Sequence, residues 1–417
     1  MRAWCRVRGG WLAALLWLLP CMGCAMAPPP LAPVSLPAAV AQPEAGRPGT
    51  LIAIEPLRRL SPAEAQLALW LADIEDVSPR AAADCYRVRY WSARHDGQPV
   101  AASGLLAVPS NGPVRGLVSY QHGVATEHRD VPSALRIEGT LAAILFASGG
   151  YAVLAPDYQG LGASPGMHPF LHAASEANDV RYLLDATRSQ LPPGLPLVLA
   201  GFSQGGHATL AALRVLEQDA GVDVAGAIIV AGALNIRTSG LERALSGAAP
   251  NAVVYLAYMV MGYAQVYGQP LASVLDAAVI ERVRAAIDGH HDSARVLAAL
   301  PAEPRALFSP AFLAAWDGGG EHWLLDALRD NEVTHWRPRT PVLLLYGDED
   351  RVVPPAEALS AAAELRSRGA IADAMSVGAV GHEESVRRAM PVLLRWLRSR
   401  MQGADDRAGE PGDAAVR

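Results

Sequence analysis

Short apolar runs alternate along the chain with longer segments in which apolar positions recur every three or four residues. Residues 85–92 and 100–108 alternate or run apolar about the turn His95-Asp96-Gly97, which predicts a hairpin. Residues 116–120, 151–155, 197–200 and 225–230 predict buried strands, and 141–147 and 176–191 predict helices between them. A further helix is expected from Ser61-Pro62-Ala63 to about Asp73, with a capping serine and a proline in its first turn. Repeated strand–helix–strand units imply an α/β fold with a mostly parallel sheet and helices on both faces. In such sheets, functional side chains gather at the C-terminal ends of the strands.

The alternation stops after Ala233, and no clear strand follows until Pro341. Helices are expected there, for example over 271–287 and 322–329. Residues 251–267 are unusually apolar and carry spaced tyrosines. Two compatible readings follow: a core helix of an insertion, and a cap helix that covers a site and offers an apolar surface to a lipid-like substrate. The run is short and interrupted by Gly262 and Gln265, which argues against a membrane span. The sheet pattern resumes at 341–346, with a helix at 356–368, a strand at 371–377 and a last helix at 384–400, kinked at Pro391. The expected organisation is therefore a folded domain over 51–400, a helical cap at about 235–338, and a disordered tail at 401–417.

The chain has 417 residues, 51% hydrophobic and 18% charged, enough for one large α/β domain with a substantial core. Its net charge of −6 argues against nucleic acid as a partner, since no basic excess exists to neutralise phosphates. Residues 1–27 read as an export signal: Arg2, Arg6 and Arg8 precede an apolar run over 11–19 that is too short to span a bilayer. Met22-Gly23-Cys24 resembles the end of a lipoprotein signal, with Cys24 lipidated, although Cys21 stands where leucine is usual. Ala25-Met26-Ala27 would suit ordinary cleavage, but Pro28 is a poor following residue, so the lipoprotein reading is preferred. Localisation is then the cell envelope, with secretion or a periplasmic location as the alternative. Seven prolines in 28–50 predict an extended linker. Once the signal is removed, Cys85 has only Cys24 as a partner, so no disulfide framework is expected and Cys85 reads as a small buried apolar side chain.

The candidate chemistry starts at Gly201-Phe202-Ser203-Gln204-Gly205, a G-x-S-x-G turn between an expected strand and an expected helix. Such a turn forces its serine into a strained conformation above a helix N-terminus, where free N–H groups can stabilise negative charge. A serine alcohol needs a base, and the base needs an orienting acid. Tyr346-Gly347-Asp348-Glu349-Asp350 follows an apolar strand. Asp350 is the expected acid, with Asp348 as second choice. Gly381-His382 follows the last strand and supplies the base. The order Ser203, Asp350, His382 is that of a nucleophile-elbow hydrolase. Oxyanion donors are expected at the N–H of Gln204 and in the loop Tyr120-Gln121-His122-Gly123-Val124, with Val124 first choice and Gly123 second. Of the other histidines, His207 reads as buried and hydrogen-bonded, and the pair His290-His291 reads as exposed. No H-E-x-x-H spacing occurs, so neither a metal nor another cofactor is implied.

These stretches resemble the α/β-hydrolase superfamily, and within it the secretory-lipase-like serine esterases. The resemblance is carried by Ser119-Tyr120-Gln121-His122-Gly123, Ala155-Pro156-Asp157-Tyr158-Gln159-Gly160-Leu161-Gly162, His168-Pro169-Phe170-Leu171-His172 and Gly201-Phe202-Ser203-Gln204-Gly205-Gly206-His207. It implies a helical cap over an apolar acyl pocket, and a structural rather than catalytic Asp157. Fungal members carry disulfides, and none is expected in this chain. The expected activity is a serine carboxylester hydrolase, an esterase or lipase, cleaving a small-molecule or lipid-like ester with an apolar acyl group. An acyltransferase or serine peptidase on the same triad is the alternative, and a non-catalytic binding protein is a third reading.

Overall fold

The computed structural model describes residues 46–74, 77–219 and 221–408. The expected export signal, the lipidation candidate Cys24 and most of the proline-rich stretch lie outside the described residues. Nine strands form one sheet: β1 (Leu51–Leu60), β2 (Ala83–Ala93), β3 (Pro99–Pro109), β4 (Leu117–Gln121), β5 (Ala152–Pro156), β6 (Leu197–Phe202), β7 (Val224–Val230), β8 (Val342–Tyr346) and β9 (Ala372–Ser376). Their order is β1-β2-β3-β5-β4-β6-β7-β8-β9. The first three strands and the β3–β5 contact are antiparallel; every pairing from β5 to β9 is parallel.

The inner parallel strands are short and largely apolar because both of their faces are covered, whereas β9 at the edge is mostly exposed. Ile228 and Val230 of β7 point into one layer while Ala227 and Ile229 point into the other, the period of two that a strand imposes. The first layer holds α1 (Pro62–Leu71), α2 (Ile137–Ala142, continued by a wider turn over Ala143–Ala147) and α12 (His382–Ala408). The second holds α3 (Ala173–Thr187), α4 (Gln204–Leu216) and α11 (Pro355–Ser367). α1 begins at a capping box in which Ser61 and Glu64 satisfy each other's backbone groups. Cys85 is buried with its thiol free, and burial pushes its pKa up to about 12.

Between β7 and β8 lie α5 (Leu241–Leu245), α6 (Ala252–Val266), α7 (Ile280–Ala286), α8 (Ser293–Ala299), α9 (Pro310–Gly318) and α10 (Trp323–Asp330). They share an apolar core of their own, distinct from the two sheet layers and built around Val254, Tyr258, Val260, Phe312 and Leu324. α6 is buried on nearly all sides, so the apolar run at 251–267 is spent mainly on packing within the insertion.

Four expectations need correction. β1 is a strand that the hydrophobic pattern did not announce. It is an edge strand with two register irregularities, between Leu51 and Ala53 and between Pro56 and Arg58, and these break the alternation. The helix expected over 271–287 is broken: Leu271–Ser273 is a single tight turn, Leu275 bridges to Phe308, and the helix starts only at Ile280. The last helix does not stop at Arg400 but continues through Ala408, past Pro391, so the tail begins later than 401. The stretch read as linker also ends earlier than 50, because the Gly49 N–H donates to the Trp91 carbonyl at 2.8 Å.

Candidate active site

β6 ends at Phe202 and α4 starts at Gln204, leaving Ser203 alone to turn the chain. Ser203 has φ 54° and ψ −117°, a conformation costly for a residue with a Cβ. The turn is held by main-chain bonds: Ser203 N–H donates to Val230 O at 3.0 Å, and Ser203 O accepts from Gly206 N–H at 2.9 Å. The glycines explain how strand and helix come this close. A Cβ at 205 would overlap the Gln121 carbonyl, and one at 201 would overlap the Gly205 carbonyl and the Thr209 hydroxyl.

Three side chains from three distant stretches meet here. His382 Nε2 lies 2.9 Å from Ser203 Oγ, and His382 Nδ1 lies 2.7 Å from Asp350 Oδ2. Asp350 follows β8, and His382 is the first residue of α12, just after β9. The other oxygen of Asp350 accepts the N–H groups of Val352 and Val353, each at 2.9 Å. Both oxygens are therefore committed, and the imidazole receives a carboxylate of fixed orientation. Asp350 is buried, whereas Asp348 and Glu349 are exposed, so burial separates three neighbouring acids that the sequence leaves side by side. The Phe202 ring stands 4.9 Å from the His382 ring and packs against its face.

The donor loop after β4 behaves differently at its two candidate positions. Gly123 N–H donates to Glu138 Oε2 at 3.0 Å, so the second-choice donor is already engaged. Among the described residues, no acceptor meets the Val124 N–H. The Gln204 amide is the first of α4, where helical N–H groups have no intrahelical partner.

Four of the other histidines are held by buried partners. His207 Nδ1 pairs with Glu176 Oε2 at 2.6 Å, and its Nε2 meets Asn331 O at 2.8 Å. Burial opposes its charge, but Glu176, the Asn331 carbonyl and Glu332 together outweigh it and its pKa is raised. Glu176 Oε1 accepts from the Gln204 side chain at 2.8 Å, and the same Gln204 amide group donates to His168 Nε2 at 2.7 Å. A stack of rings, His122–Tyr158–His168–Tyr258–Phe170, runs from the donor loop to the cap. Burial pushes His122 down to about 4, His168 to about 3 and His172 to about 4, so all three are neutral at pH 7. Asp157 accepts from Ser103, the Ser133 hydroxyl and the Ser133 N–H, a turn-holding role.

Glu176 and Glu138 escaped the sequence reading. Glu176 did leave a signal: it shares the helical stripe of Val180, Leu183 and Thr187, all buried, and a carboxylate on an apolar stripe needs a partner. Glu138 left none, because its partners lie 15 and 18 residues away across a loop.

The family model described as serine aminopeptidase, S33, matches residues 114–373. The chain belongs to this hydrolase family. It has the α/β-hydrolase fold and is a hydrolase by family. Among solved structures, this hydrolase is similar to a protein of Legionella pneumophila at 25% identity and TM-score 0.75, over 88% of this chain and 100% of that one. It is also similar to the rice cell wall degrading esterase LipA of Xanthomonas oryzae, at 22% identity and TM-score 0.73, over 86% and 97%. Candida antarctica lipase A in its closed state aligns at 16% identity and TM-score 0.66, over 88% and 85%. No curated protein matches.

Proposed function

We propose that this hydrolase is an exported serine carboxylester hydrolase that cleaves esters with an apolar acyl group through an acyl-enzyme. The observation that carries the reading is the hydrogen-bonded chain Ser203–His382–Asp350, with Ser203 strained on the elbow. In this reading Ser203 Oγ attacks the ester carbonyl as His382 Nε2 takes its proton. Asp350 holds Nδ1–H and stabilises the imidazolium. The N–H groups of Gln204 and Val124 hold the oxyanion. His382 returns the proton to the leaving alcohol, and water, activated by the same imidazole, releases the acyl group.

The ester preference is supported by two structural neighbours, an esterase and a lipase. The apolar acyl preference is supported by Val124 and Ala233, which flank the elbow and pack against the apolar interior of the cap. The Ala233 N–H itself donates to Ser203 O at 3.2 Å.

Hydrolysis of nitrophenyl esters from acetate to palmitate, with Ser203→Ala as control, tests the reading. Turnover that survives in the alanine protein overturns it. Faster cleavage of aminoacyl nitroanilides than of esters would replace it with the peptidase activity that the family's description names. Export and lipidation are tested separately, by palmitate labelling of the full chain and of Cys24→Ala; label retained in the variant removes that site.

A further inference from the structure

Glu138 stands outside the three residues at the elbow, yet it grips the loop beside them. It is the second residue of α2 and lies half-buried at the wall of an apolar cavity of about 320 Å³. Tyr120 and Phe202 line the same cavity from the sheet, and Glu383 and Arg387 line it from α12. A carboxyl in such a place needs a purpose, because burial without compensation is costly. Burial, reinforced by Glu383, pushes it up to about 7 against the hydrogen bonds it receives.

Those hydrogen bonds come from two groups. Oε2 accepts the Gly123 N–H at 3.0 Å and the Tyr120 hydroxyl at 3.2 Å. Oε1 lies against the Cα side of Gly123, where an added Cβ would approach it to 3.1 Å. The next peptide unit is held from its other end. His122 Nδ1 and the Gly123 carbonyl are 2.7 Å apart, and with neutral His122 the Nδ1–H is the donor. The Gly123 carbonyl and the Val124 N–H belong to one planar peptide and point in opposite directions. Fixing the carbonyl therefore fixes the N–H.

We propose that Glu138 is the positioning residue of the oxyanion loop: it captures the Gly123 N–H so that the following amide, that of Val124, is left aimed at the substrate's carbonyl oxygen. The proposal rests on the esterase reading above. Glu138 touches neither substrate nor Ser203; it acts through the main chain. Such an arrangement is worth most in the transition state, when negative charge gathers on the oxygen.

The experiment compares Glu138→Ala, Glu138→Gln and Tyr120→Phe in the full chain, with nitrophenyl butyrate as substrate and a trifluoromethyl ketone as a mimic of the tetrahedral state. Glu138→Ala should lower kcat by about 10–100-fold, less than the roughly 100–1,000-fold cost of removing an oxyanion donor outright, while KM stays within about threefold. Affinity for the ketone should fall in parallel with kcat/KM. Glu138→Gln should recover kcat to within about fivefold of the parent, because its amide oxygen can accept the same N–H. Tyr120→Phe should cost a few-fold. Should the alanine protein lose its circular-dichroism signature of folding, Glu138→Met replaces it, filling the space without an acceptor. A folded Ala or Met variant with unchanged kcat overturns the proposal, as does a Gln variant as impaired as Ala. A parent enzyme without esterase activity, or one indifferent to Ser203→Ala, overturns the functional reading instead.

Discussion

The strand-end platform and the cap are held together by different means. On the platform, position is set by backbone: Ser203 by its strained turn and its bond to Val230, Asp350 by the N–H groups of Val352 and Val353, and the donor loop by Gly123. The cap has its own apolar interior and reaches the platform largely through side chains meeting backbone. The Tyr258 hydroxyl donates to Ala125 O at 2.9 Å, the Tyr263 hydroxyl to Leu171 O at 2.7 Å, and Asn331 Oδ1 accepts from Ala173 N–H at 2.8 Å. The difference separates two tasks. Main-chain groups fix Ser203 and Asp350, and the Glu138 side chain enters only at the donor loop, whereas the cap is tied on through Tyr258, Tyr263 and Asn331, whose bonds meet none of Ser203, Asp350 and His382.

The sharpest way to break this division is at the platform. Ser203→Ala should reduce ester turnover by about 10⁴-fold or more while leaving the melting temperature nearly unchanged, read by steady-state kinetics and calorimetry together. Next comes the turn itself. Gly205→Ala forces a Cβ into the Gln121 carbonyl, so β4, β6 or α4 must shift; a loss of about 2–3 kcal/mol in urea unfolding is expected, along with the activity. A fully active Gly205→Ala protein would mean that the platform is less rigid than its contacts imply.

A smaller effect is expected at the cap. Tyr258→Phe leaves the Ala125 carbonyl without its donor, at about 1 kcal/mol. Its kinetic effect should fall on KM and on acyl-chain preference, with kcat for a short ester held within about threefold. A kcat collapse in this variant would erase the division between the two regions.

The smallest effect is a pH dependence. Folding favours the protonated Glu138, since its pKa is raised in the folded chain. That contribution is whole below the ordinary value near 4.5 and is lost as pH rises through about 7. Glu138→Gln removes the titration, so between pH 5 and pH 8 its melting temperature should fall less than the parent's. Parallel curves for the two proteins would mean that Glu138 does not retain its proton in the folded state. The buried histidines work in the opposite direction. His122, His168 and His172 stay neutral when folded, so their contribution is present above about 6.5 and is lost as pH falls toward 4.

Most of the sheet was legible because burial on both faces writes short apolar runs between helical periods, as in β6 and β7. The elbow was legible because few sequences satisfy its sterics. β1 was hidden because an edge strand with irregular pairing and solvent on one side need not alternate. The helix at 271–287 misled because Val274 and Leu275 are buried by a bridge to a segment more than thirty residues on, which no local period reports.

The sequence by itself determined the order of the strands' chemistry: a serine after β6, acids after β8, a histidine after β9. Local physics suffices there, since a tight strand–helix turn demands glycine and each of these residues follows a strand end. Only the tertiary structure decided which acid faces the histidine, which amide of the donor loop stays free, and that Glu138 holds its neighbour. Those outcomes depend on burial and on partners far apart in the chain: Asp350 is chosen over Asp348 because one is enclosed and the other solvated, and Gly123 is taken because α2 delivers a carboxyl to it. Sequence spacing carries no record of such meetings, because they are made by packing.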